Sequence, residues 1–361
     1  DFVPSRGLGD VYKRQLLLRK QMEKVFLQAC RGEQTSHTPI WLNRQAGRYM
    51  PEYHQVKGDL PSLEFFKNPE RAAKATLDAQ RILGVDAAIM FADLLPILEP
   101  MGLDLEYVVG QGPVFANPIR SAADVANLAT APAIEHTPYI ADTVRCINEG
   151  LPNDIALIGF AGAPFTLASY AIEGKGSRNY VFVKKMMYEA PELWHALMTK
   201  LTGQLASYLQ LQISAGVEAV QLFDTWVGNL SIYDYRTYVE PHLKTLVDAL
   251  AGTVPVIYFG TGNYHLLPAV SQLNIDVLAF DWRTPLKPTW DQLGCTAVQG
   301  NLDPIVLCAD QAAVASQSQW LLDQVDGRPG HIFNLGHGII PETPVDNVKF
   351  LVDFVHEQSS R

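Results

Sequence analysis

The sequence predicts a single (β/α)8 barrel, and three observations carry that expectation. Short apolar runs recur eight times along 361 residues. They are continuously apolar, as parallel strands buried on both faces are. Longer helix-like stretches separate them, so the connections read as crossovers and the sheet as parallel. Eight repeats favour closure into a barrel of the TIM type, with an open doubly wound sheet as the rival. A composition of 48% hydrophobic and 18% charged residues suits a globular chain with a large core.

The elements follow in order. Residues Asp1–Gln15 have no apolar period and no capping logic, and they read as a foreign or disordered leader. Residues 16–361 are expected to form one catalytic domain. A short amphipathic helix is expected first, from Met22, Val25, Phe26 and Ala29 at spacings of 3–4. The eight runs are Pro39–Asn43, Asp86–Ala92, Ile155–Phe160, Ala219–Phe223, Val254–Phe259, Val277–Asp281, Thr296–Gln299 and His331–Asn334. Helices are expected over Glu70–Leu83, Ala190–Ala215 and Val345–Glu357. The Gly- and Pro-rich stretch Leu94–Pro132 reads as an elaborate loop after the second strand.

Several function classes are disfavoured. Acidic residues outnumber basic ones, 38 to 28, giving a net charge of −10, whereas nucleic-acid binding needs a basic face. A small anionic ligand is not disfavoured, because one basic pocket can sit on an acidic protein. Cys30, Cys146, Cys295 and Cys308 form no C-x-x-C pair, which leaves no common zinc spacing and fits a reducing compartment. No apolar run approaches the roughly 18 residues of a membrane span. Phosphate-loop, nucleophile-elbow and H-E-x-x-H patterns are absent.

In a barrel, chemistry gathers at the carboxyl ends of the strands. The first run is followed by Arg44-Gln45-Ala46-Gly47-Arg48, where two arginines four apart form either an anion clamp or two surface salt bridges. Asp93 directly follows a very apolar run, so it is either functional or a cap for the next helix. His337 lies between glycines past the last run, as an acid–base or donor group or as a packed histidine. Asp224 and Asp281 read as strand-end caps. Asn301 and Asp303 follow the seventh run, and Tyr170 follows the third.

Longer motifs make the reading specific. Pro39–Tyr53 (PIWLNRQAGRYMPEY) resembles the amino-terminal signature of the uroporphyrinogen decarboxylase family, and Gly159–Tyr170 (GFAGAPFTLASY), continuing into Ile172–Gly174, resembles its second signature. Phe91–Leu95, Gln221–Trp226, Gln299–Pro304 and Phe333–Gly338 look like its remaining blocks, in family order across Met22 to Glu357. The resemblance implies a cytoplasmic homodimer, or a plastidic one in a phototrophic eukaryote, working in haem and chlorophyll biosynthesis. It implies decarboxylation of the four acetates of uroporphyrinogen to give coproporphyrinogen, with no metal and no organic cofactor. It also implies that Arg44, Gln45, Ala46 and Arg48 hold substrate and that Asp93 faces the pyrrole N–H groups. Tyr170, Thr225 and His337 would complete the polar lining, with Phe91 and Phe160 as apolar walls. The implied catalytic set is Asp93, Arg44, Tyr170 and His337.

Two residues depart from the pattern. Thr225 stands where some members have Ser, keeping the hydroxyl, and His54 stands where Arg or Lys is usual. The chemistry fits the residues, because a pyrrole acetate loses CO₂ only if its electrons find a sink. Protonating the adjacent ring carbon supplies a cationic one, which a carboxylate would stabilise while arginines hold the anionic side chains. A cobalamin-linked methyltransferase on the same barrel is the nearest rival, but its His-x-Cys zinc motif is missing here. A tetrapyrrole-binding protein without turnover is the other.

Overall fold

The computed structural model describes residues 24–108 and 110–361. The expected leader, Asp1–Gln15, and Met22 lie outside them. The first described helix, α1 (Val25–Cys30), buries Phe26, Ala29 and Cys30. Helix α2 (Pro69–Leu83) shows how local sequence sets its ends. The Asn68 side chain accepts from the Arg71 N–H at 3.0 Å, Pro69 pre-sets the first turn, and Gly84 closes the last one at φ 70°.

After α2 the chain alternates. Strand β1 (Ala87–Ile89) precedes an antiparallel hairpin of β2 (Leu105–Val108) and β3 (Gly112–Phe115), which pairs Leu105 with Phe115. Then come α3 (Pro138–Gly150), β4 (Ala156–Gly162), α4 (Pro164–Glu173), α5 (Pro191–Ala215) and β5 (Ala219–Asp224). They are followed by α6 (Glu240–Leu250), β6 (Val256–Gly260), β7 (Val277–Ala279), α7 (Leu286–Leu293) and β8 (Ala297–Gln299). Last are α8 (Gln311–Val325), β9 (His331–Ile332) and α9 (Val345–Ser359). Seven strands form one curled parallel sheet in the order β1-β4-β5-β6-β7-β8-β9. Its register pairs Ala87 with Ala156, Ile158 with Ala219, Ile257 with Val277 and Val298 with His331.

The side-chain period of two along each strand separates two cores. One face holds small and β-branched residues, Ala87, Ala156, Ile158, Ala219, Ile257, Ala279 and Ala297, closed over by Trp41 and by Phe26 of α1. The other face, with Ala88, Leu157, Val220, Leu222, Leu278 and Val298, meets the helices. Among the described residues no helix is long and apolar enough to cross a membrane.

Two expectations need correction. Pro39–Asn43 forms no strand, only a bridge between Ile40 and Phe333. Side chains take the N–H groups a ladder would use: Ile40 donates to Asp86, Leu42 to Gln45 and Asn43 to Asn334. The segment still bonds to both edges of the sheet, through Asp86 N–H to the Ile40 carbonyl at 2.9 Å and Phe333 N–H to the Pro39 carbonyl at 2.8 Å. The stretch 94–132 is more regular than a loop, holding the hairpin and a helix, Ala122–Asn127, closed by a Ser121/Asp124 capping box. Gly110 and Gly112, at φ 79° and 81°, let the hairpin reverse where the expectation saw only breakers.

Candidate active site

The strand ends bring four of the expected residues together. Arg44 takes a left-handed backbone, φ 62°, which costs a residue with a β-carbon about 1–2 kcal/mol. Gly338 accommodates its side chain: a β-carbon there would stand 2.5 Å from Arg44 Cδ and 2.8 Å from Nε. The Arg44 stem therefore lies against the backbone next to His337. Among the described residues neither Arg44 nor Arg48 forms an ion pair, so the alternative of two surface salt bridges falls.

Asp93 follows β1 on the same end. Its Oδ1 accepts the Leu95 N–H at 3.0 Å, so it does cap the next turn. It sits deep among protein atoms yet keeps some open surface, as a residue lining a concavity does. Burial pushes its carboxyl above the ordinary range; the Tyr107 hydroxyl, the Leu95 and Leu94 N–H groups and the Arg44 charge oppose this without overcoming it. Tyr170, from α4, feels the same environment. Burial first, and the Asp93 charge second, push its phenol up to about 12. It stays neutral and can donate.

His337 behaves differently from an acid–base histidine. Burial, then the Arg44 and Arg283 charges, lower it to about 4, so the ring is neutral near pH 7. Its Nδ1 accepts the Gly338 N–H at 2.8 Å, which leaves the proton on Nε2. The group presents a fixed N–H donor.

The remaining expected residues flank this cluster. Phe91 packs at 4.8 Å from Phe65, 5.5 Å from Phe66 and 5.6 Å from Tyr53, a true wall. Phe160 meets Phe223 edge-on at 5.8 Å. Arg48 neighbours Tyr53, and its carbonyl bonds the ring of His54, Nε2 to O 2.9 Å, so His54 braces this loop. Gln45 is buried, spending its side chain on Leu42 N–H and the Ala87 carbonyl, and Tyr49 donates to its carbonyl at 2.6 Å. Any ligand contact at Gln45 is therefore through the main chain. Ala46 packs against the aromatic group around Phe65 and Phe91. Thr225 is half-buried, and its carbonyl accepts the Thr261 hydroxyl.

The two other aspartates are structural. Asp224 accepts the Thr166 and Tyr258 hydroxyls at 2.8 Å each and is raised to about 6 by burial. Asp281 caps a loop through Gly262 N–H, Arg283 N–H and Thr284, and pairs with the Arg283 guanidinium at 2.9 Å. Asn301 donates to the Asp281 and Thr284 carbonyls, and Asp303 caps the Ile305 N–H. A buried polar chain ties β5 and β8 to the Pro39–Asn43 segment. Trp41 Nε1 donates to Gln299, Gln299 to Gln221, and Gln221 to Asn43, at 2.9, 2.9 and 3.0 Å.

Sequence reasoning misses two residues here. Tyr107, from the hairpin, lies beside Asp93; burial pushes its phenol up, and its hydroxyl has no well-formed hydrogen bond. No local pattern marks it, because a hairpin inside an expected loop brings it there. Arg283 stacks on Trp282 at 3.7 Å while its charge reaches His337. Its place directly after Asp281-Trp282, just past the sixth apolar run, is the signal the sequence offers.

Two surface clefts, one lined by Met101, Leu103, Asn117 and Leu128 and one by Arg120, Phe182 and Leu193, contain none of these strand-end residues.

Comparison with known proteins agrees with the motifs. The model of the uroporphyrinogen decarboxylase (URO-D) family matches residues 21–358. A uroporphyrinogen decarboxylase from Chloroflexus aurantiacus is 51% identical over 340 residues, covering 92% of this chain and 96% of that protein. One from Koribacter versatilis is 48% identical, covering 93% and 97%. Among solved structures, a methyltransferase from Methanosarcina mazei superposes with a TM-score of 0.79 at 19% identity, covering 93% of this chain and 98% of that one. At that identity the likeness speaks for the fold alone.

Proposed function

Because the chain belongs to the uroporphyrinogen decarboxylase family, it is a carboxy-lyase of porphyrin biosynthesis, and we propose that Asp93, Arg44, Tyr170 and His337 carry its reaction. The observation behind this is their convergence: a carboxylate raised by burial, an unpaired arginine and two neutral donors at the strand ends.

Uroporphyrinogen carries pyrrole N–H donors at its centre and carboxylates at its rim. Asp93 accepts from the N–H groups, and Arg44 and Arg48 take side-chain carboxylates. Protonation of the ring carbon adjacent to the acetate-bearing one makes a cationic iminium conjugated with the side-chain methylene. The bond from the side-chain methylene to the carboxylate then breaks, CO₂ leaves, and the electron pair flows into the ring. A proton on the exocyclic carbon and loss of the first proton restore the pyrrole, so each acetate consumes one proton and becomes a methyl. Asp93 lies where the transient cation forms, in surroundings poor in water, where a charge acts strongly. His337 Nε2–H and the Tyr170 hydroxyl donate to substrate oxygens. The protonated pyrrole is itself the electron sink, so the step calls for no metal or organic cofactor.

Further readings are part of the same proposal. Pro39–Asn43 stands as an eighth staves-like segment, closing the sheet into a barrel, a view supported by its bonds to both sheet edges. The residues 94–132 elaborate the connection after β1. The enzyme works in the cytoplasm as a homodimer, supported by exposed Tyr233, Tyr264 and Ile305 on connections that follow β5, β6 and β8. Incubating Asp93→Asn with uroporphyrinogen and resolving products by carboxyl count tests the assignment. Product formation within a few-fold of the parent enzyme would remove Asp93 from the mechanism.

A further inference from the structure

At the opposite end of β1 from Asp93, three distant chain segments put His37, Asp86 and His356 together. His37 Nε2 lies 3.1 Å from Asp86 Oδ1, and His356 Nε2 lies 2.9 Å from Asp86 Oδ2. The two imidazoles meet edge to face, centroids 4.7 Å apart. We propose that these side chains form a structural site for a divalent late transition metal, zinc foremost, separate from the decarboxylating cluster.

Four observations carry it. The donor set is two imidazoles and a carboxylate, which suits zinc and its neighbours, with room for a water as fourth ligand. The donor atoms all lie within 4.8 Å of one another. Tetrahedral ligands at about 2.0–2.1 Å from an ion stand about 3.3 Å apart, so small side-chain rotations suffice to admit one. Outer partners already hold the ligands. Asp86 Oδ2 accepts the Ile40 N–H at 2.7 Å, and His37 Nδ1 lies 3.0 Å from Ser36 Oγ, so its proton can rest there and leave Nε2 free to bind. Finally, the histidine side chains are 24% and 31% exposed, which gives an ion a way in.

The sequence could not reveal the site, because its ligands stand 49 and 270 residues apart. An ion there would staple the barrel entrance segment, the start of β1 and the last turn of α9. Without an ion the imidazoles simply hydrogen-bond the carboxylate, and that is the competing account.

The two accounts separate by metal uptake. Chelator-stripped enzyme is dialysed against zinc chloride alone, and bound metal and melting temperature are measured. The proposal expects one zinc per chain and a higher melting temperature. His37→Gln and His356→Gln each weaken uptake about tenfold or more and abolish the thermal gain. Both variants keep decarboxylase activity, since neither residue lies near Asp93. No uptake by the wild type, or uptake undiminished in both variants, overturns the proposal; the latter result would put the ion elsewhere on the chain.

Discussion

Asp93 is a carboxylate held against its own preference. Its folded pKa is raised, so the proton-bound form is favoured by folding, and whatever stability that form gives is lost as pH rises through the folded pKa. Ionised Asp93 therefore costs stability at neutral pH. Asp93→Asn is expected to lower turnover by orders of magnitude while leaving the melting temperature unchanged or higher, read by product chromatography and calorimetry on the same sample. The raised pKa also sets the acid limb of kcat/KM above the ordinary carboxylate range. His337 makes no second limb near neutrality, because it is lowered to about 4. Arg44→Ala is expected to cost about 1.5–3 kcal/mol in kcat/KM, and Arg44→Lys to restore only part of it. Gly338→Ala should act on the same term without touching a charge, since its β-carbon displaces the arginine stem. Near-parental kinetics in Gly338→Ala would separate the cradle from the chemistry. These positions are largely legible in the sequence because each sits one turn past an apolar run. Tyr107 is not, because only the folded hairpin carries it to Asp93.

At the scale of elements, seven of eight expected strands form where uninterrupted apolar runs place them. The remaining run, Pro39–Asn43, first in the chain, is as apolar but loses its ladder to the side chains of Asp86, Gln45 and Asn334. Those acceptors belong to the tertiary structure, and apolar periodicity carries no trace of them. Strands β5 and β6 are joined by another such element, the buried carboxylate of Asp224 under two hydroxyls. Tyr258→Phe removes one donor and should cost about 1–3 kcal/mol in urea unfolding. It should also raise Asp224 further above its value of about 6. Because that folded pKa already exceeds the unfolded one, the variant's loss of stability is expected to be larger at pH 8 than at pH 5.

For the whole molecule, mass and charge bear on assembly. Twice 39.9 kDa is the particle mass expected from sedimentation at micromolar concentration. A single-chain mass there would contradict the proposed homodimer. Exposed aromatic side chains such as Tyr233, 70% accessible, and Tyr264, 50%, are positioned to be covered. At this scale too the sequence is partly informative. It carries the parallel crossover pattern and the acidic balance of charge. The meeting of His37, Asp86 and His356 is set by chain return, which local pattern does not encode.

The contacts of Ile40 have a bearing on biosynthesis. Its segment bonds to Phe333, near the other extreme of the matched region, so a growing chain cannot complete the sheet while the ribosome is still making the last strand. Such high contact order slows productive collapse and leaves the edges of β1 and β9 open in the interval. Chaperone dependence during translation, and intolerance of truncation ahead of Phe333, follow from that one pairing.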